Sequence, residues 1–106
     1  GSAVESQVST KLADGMACRV PEPDALEIIW RGVDRIITVT DEEVAVAMRV
    51  LFEFTHNVCE GAGAAATAAA IQERSKIAGR KIAVVISGGN VDRDVFAGVL
   101  NGQLVF

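Results

Sequence analysis

The sequence predicts an α/β fold, part of a parallel three-layer sheet that this chain leaves incomplete. Three observations carry that reading. Helix-like and strand-like stretches alternate, the order that builds parallel pairing through right-handed crossovers. The run "KIAVVIS" (81–87) is apolar without alternation, as suits a strand covered on both faces. Only 34–40 and 81–87 read strongly as strands, too few for a covered parallel sheet. The missing strands are expected from elsewhere, either another part of the chain or another copy.

The elements follow in order. Gly1-Ser2 resembles the scar of a cleaved expression tag. Residues 3–21 lack periodicity and read as an arm and loop, with Asp14-Gly15 marking a turn. Pro23 suits a first helical position, and Asp24 and Glu27 suit the first turn. Leu26, Ile29 and Trp30 then share a helical face, and Gly32 is a natural stop. "DRIITVT" (34–40) is short and β-branched, hence a strand. Thr40 and Glu43 form a capping-box pattern. The helix it opens puts Val44, Ala47, Met48, Leu51 and Phe52 on one face and ends near 55–57. A single Ala-rich helix should run from about Gly61 to a stop at Gly79, packed closely on several sides. After the 81–87 strand, Asn90 or Asp92 is expected to cap a last short helix.

Bulk properties narrow the function. One domain is the ceiling for 106 residues. Half the residues are hydrophobic and only 5% aromatic, so the core must be aliphatic. The net charge of −4 argues against a nucleic-acid partner. No apolar run is long enough for a membrane span. Cys18 and Cys59 have no partner spacing and read as free thiols in a reducing, cytoplasmic setting. His56, near Cys59 and Glu60, is too poor a set for a metal site and suits a helix end. The three lysines, Lys11, Lys76 and Lys81, lie in an arm or a surface loop. None suggests the apolar pocket that a Schiff-base lysine needs.

Three glycine motifs remain. Ser87-Gly88-Gly89-Asn90 closes the central strand, where ligands bind in open α/β sheets and where a following helix attracts anions. A tight strand-to-helix turn would need the same small residues. Glu60-Gly61-Ala62-Gly63 opens the Ala-rich helix, and here capping plus close helix packing is the plainer explanation. Asp14-Gly15 alone is a loop turn.

The order ADGM, EGAGA, SGGN changes the weighing. Together with "KLADGMACRVPEPDALEII", "RIITVTDEEVAVAMR", "THNVCEGAGAAATAAAIQER" and "VVISGGNVDRDVF", it resembles the C-terminal part of the threonine dehydratases (threonine ammonia-lyases). These are pyridoxal-phosphate enzymes of the tryptophan-synthase β-like fold, similar here to serine racemase and the serine dehydratases. The resemblance implies that residues 3–106 are the C-terminal segment of a cofactor-binding catalytic domain. It implies cofactor contacts at Ser87, through the pyridine nitrogen, at Glu60 beside the ring, at Gly15 through the main chain, and at Gly88 and Gly89 under the ring. The implied reaction is β-elimination of a hydroxyl from threonine or serine, giving 2-oxobutanoate or pyruvate plus ammonia.

The family's Schiff-base lysine motif, its phosphate loop and its small substrate domain do not occur in these residues. The chain is therefore expected to be inactive alone, with no catalytic residue of its own. It should bind no nucleic acid or membrane and should self-associate through unpaired sheet edges. The alternative is a stand-alone, non-catalytic binding or assembly module of the same fold. A nucleotide-binding module ranks below both, because neither G-x-G-x-x-G nor a P-loop is present.

Overall fold

The chain at Thr40 turns from β-region backbone into its longest helix, and the core is built on that helix. A computed structural model describes residues 1–104. It contains a 3-10 turn at Asp14–Met16 and helices α1 (Pro23–Gly32), α2 (Asp41–Thr55), α3 (Gly61–Gln72), α4 (Arg74–Ile77) and α5 (Arg93–Leu100). The capping box at α2 is formed as the sequence predicts. The Thr40 hydroxyl accepts from the Glu43 amide at 3.2 Å, and the Glu43 carboxylate accepts from the Thr40 amide at 2.8 Å. At the other end His56 takes up the left-handed conformation, φ 57°.

Helix α2 lies against both α3 and α5. Val44, Ala47, Met48 and Leu51 are buried as expected, and Ala45 is buried with them. Two neighbours widen the apolar stripe beyond one face. Phe52 sits at the margin, edge-on to Phe96 of α5 with ring centroids 5.6 Å apart. Arg49 donates to the Val99 carbonyl at 3.0 Å and pins the end of α5 to α2. Asp92 occupies the N-cap position of α5, but its side chain makes no capping bond.

The Ala-rich segment departs from a single helix. It breaks at Glu73, between α3 and α4, and turns at Gly79, φ +77°. Glu73 is buried and ion-paired to Arg35 through both guanidinium nitrogens of the fork. That inward pull from outside the helix accompanies the break and is invisible to local propensity.

The expected sheet needs correction: among the described residues no strand is formed. A strand is stabilised by ladder bonds to a neighbour, and neither 34–40 nor 81–87 has one. Ile36 and Val85 are each 75% exposed, the opposite of a covered central strand. Among the described residues, side chains tie 34–39 down, through Arg35 to Glu73 and through Gln72, whose amide donates to the Thr38 carbonyl at 2.9 Å. The apolar face of α1 is only partly covered. Among the described residues that helix touches no other helix; Leu26 and Ile29 are half-buried, and Trp30 is exposed.

Candidate cofactor site

The three glycine motifs, far apart in sequence, meet at the N-terminus of α3. Glu60 is the N-cap residue there, yet its carboxylate caps no helical amide. It turns sideways between two glycines instead. A Cβ added at Gly88 would stand 2.4 Å from Glu60 Oε1, and one at Gly15 would stand 3.7 Å from Oε2. The Glu60 amide also donates to the Gly88 carbonyl at 3.1 Å. The expectation that Glu60 simply caps α3 is therefore not met; its side chain fills the space that Gly88 leaves.

Backbone contacts fix the spacing of these segments. A Cβ at Gly61 would lie 2.2 Å from the Leu12 carbonyl oxygen. At Gly63 it would lie 2.6 Å from the Gly88 carbonyl oxygen and 2.9 Å from Cys59 Sγ, and at Gly89 2.5 Å from the Val58 carbonyl oxygen. Real side chains do not approach so closely, so these glycines let main chain lie on main chain. Cys59 is fully buried in this junction. Burial pushes its thiol pKa up, and the Glu60 charge adds to the shift, so it remains a neutral packing group.

Of the residues singled out in the sequence, Gly15, Glu60 and Gly88 are brought together. Gly89 is exposed and rests on Val58. Ser87 is exposed, and its hydroxyl makes no hydrogen bond among the described residues. Next to Glu60 lies a recess of about 310 Å³, bordered by Lys11, Asp14, Asn90 and Asp92. Lys11 is exposed at this rim, a proximity that its place in an irregular arm did not announce. Among the described residues no group of three or more His, Cys, Asp or Glu could hold a metal ion. No helix among them is long and apolar enough to cross a membrane.

The start of α3, the arm at Lys11 and Leu12 and residues 90–92 thus meet around one recess. Residues 1–88 match the model of the pyridoxal-phosphate dependent enzymes, and this chain belongs to that family. Pyridoxal phosphate is the family's cofactor, and its fold is of the tryptophan-synthase β-like type. More narrowly, the chain is similar to L-threonine ammonia-lyases. It is 37% identical over 105 residues to one from Thermotoga maritima and to one from Geobacter sulfurreducens, covering 99% of this chain and 26% of each relative. A catabolic L-threonine dehydratase from Staphylococcus aureus is 34% identical over 103 residues, covering 94% of this chain and 30% of the relative. The chain thus spans between a quarter and a third of the length of the curated relatives it matches.

Proposed function

We propose that this chain is the C-terminal segment of the catalytic domain of a threonine or serine ammonia-lyase, and that it forms one wall of the pyridoxal-phosphate site. The meeting of Gly15, Glu60 and Gly88 at the start of α3 carries this reading. Support for a fit to the cofactor comes from Ser87 and Gly89, both exposed, beside Gly88, whose open side is taken by the Glu60 carboxylate. Bound there, pyridoxal phosphate supplies an electron sink for β-elimination of a hydroxyl from the amino acid. Ser87 would donate to the pyridine nitrogen or accept from it. As a neutral hydroxyl, it would not hold that nitrogen protonated as a carboxylate would. Glu60 would set the acidic edge of the wall, Gly15 would offer main chain, and Gly88 and Gly89 would keep the wall thin.

The chain's own lysines support the further reading that the segment is inactive alone. Lys11, Lys76 and Lys81 are all exposed, and none sits in an apolar pocket that would lower an amine's pKa. With threonine and pyridoxal phosphate added, the purified 106-residue chain should release no 2-oxobutanoate above the cofactor's own background. Titration of pyridoxal phosphate should move the amide resonances of Ser87, Gly88, Gly89, Glu60 and Gly15. Measurable turnover would overturn the inactivity, and unmoved resonances would overturn the wall.

A second reading, a non-catalytic assembly module of the same fold, draws support from the exposed apolar stretch around Val85. The reading frame upstream of Ala3 separates the two. A lysine motif with a glycine-rich loop there favours the enzyme segment, and a natural start near Ala3 favours the module.

A further inference from the structure

The arm before the first glycine motif has almost no regular structure, yet it is held at one point. Asp41, the first residue of α2, receives three donors from it. The Thr10 hydroxyl donates to Oδ1, and the amides of Lys11 and Leu12 donate to Oδ2 at 2.9 and 3.3 Å. The Thr10 hydroxyl oxygen in turn accepts the Ala13 amide at 3.0 Å. One carboxylate thus gathers residues 10–13 into a tight turn. Immediately after it come the 3-10 turn and Gly15. The gathered turn is also the part that meets α3, since Leu12 is buried and its carbonyl lies over Gly61.

We propose that Asp41 is a positioning residue for the cofactor wall: it latches the 10–13 turn and so sets Gly15 beside Glu60. This rests on the reading of Glu60 and Gly15 as one wall. Charged acceptors make the stronger hydrogen bonds, so one carboxylate can order a segment that has no ladder or helix of its own. Electrostatics agrees with the geometry. Burial by itself would raise the Asp41 pKa, but the bonds from Thr10, Lys11 and Leu12 and the Lys11 charge outweigh it and hold the group below its ordinary value. Glu42, the next residue, is exposed and has no bond to the arm among the described residues, so it serves as a charge-matched control.

The test is amide hydrogen exchange and resonance mapping on the 106-residue chain. In Asp41→Asn and in Thr10→Val, the amides of Lys11, Leu12 and Ala13 should exchange at least about tenfold faster, the loss expected for charge-assisted bonds. The Gly15 and Glu60 amide resonances should shift in both variants, while Met48 and Ala68 keep their protection. Thr10→Ser restores the hydroxyl and Glu42→Gln removes only a helix-terminal charge, so both should match wild type. Unchanged arm exchange in Asp41→Asn and Thr10→Val would overturn the latch. A loosened arm with unmoved Gly15 and Glu60 resonances would overturn its positioning role. Should Asp41→Asn fail to fold, Thr10→Val decides by the same readings. These measurements need no cofactor; failure of the wild-type chain to respond to pyridoxal phosphate would count against the proposed wall, not against the latch.

Discussion

Gly61 and Gly32 show how differently one residue type can be used. Gly61 faces the Leu12 carbonyl at a distance no methyl group could share, whereas nothing lies within 4 Å of a Cβ at Gly32. Gly61→Ala should therefore lower stability by about 1–3 kcal/mol, the usual range for overpacking a well-filled site. Gly32→Ala, at the end of α1, should raise stability by up to about 1 kcal/mol through helix propensity. Urea unfolding of the two variants checks both signs. A neutral Gly61→Ala would contradict the close contact at α3, and a destabilised Gly32→Ala would contradict the open space at the end of α1. At this scale the sequence was informative in part. The motifs could be found and ordered, but not the sideways turn of Glu60 or the grip of Asp41 on Thr10. Both depend on segments tens of residues away.

At the level of elements, local signals were good guides wherever the cause was local. The Thr40–Glu43 box, the Pro23 start and the end of α2 at Thr55 all lie within one helix turn of the residues that produce them. The failures share the opposite property. The break at Glu73 accompanies Arg35, 38 positions away, and the absent ladders of 34–40 and 81–87 lack the neighbours a strand requires. The Arg35 tie has a pH signature. Its hydrogen bond and charge, helped by Lys76, hold the Glu73 carboxylate below its ordinary pKa, against the opposing effect of burial. A depressed folded-state pKa contributes stability above the unfolded value, and that stability is lost as pH falls through the folded value. Thermal melts of wild type should thus steepen in their loss of stability below about pH 4.3. Glu73→Gln should be less stable at neutral pH and flatter on the acid side. An identical acid slope in the two proteins would remove the ion pair from the account.

The whole molecule is flatter and more open than its length suggests. Its extents are 41 × 36 × 19 Å and its radius of gyration is 14.7 Å, against about 13 Å for a compact domain of this size. It exposes 7694 Å², where a compact chain of this mass would expose about 5,700 Å². The excess, about 2,000 Å², is more than the roughly 800 Å² that each partner buries in a standard protein interface. Exposed Ile36, Ile82, Val84, Val85 and Ile86 supply much of its apolar character. The chain should therefore self-associate as its concentration rises, and Val85→Lys, a charge on an exposed strand-like edge, should shift it toward monomer. Sedimentation velocity reads this directly. A wild-type chain that stays monomeric across the concentration range would argue against edge pairing.

The glycine contacts also have a consequence in the genetic code. Every missense change reachable by one nucleotide from a glycine codon adds a Cβ. At Gly61, Gly63 and Gly89 each such change is a collision with main chain, whatever side chain follows. Substitution at these three positions should therefore cost more than at an exposed neighbour such as Val85, whose side chain has room to change. The spacing of the wall can thus outlast large changes in the sequence around it, because it is held by atoms that every residue possesses.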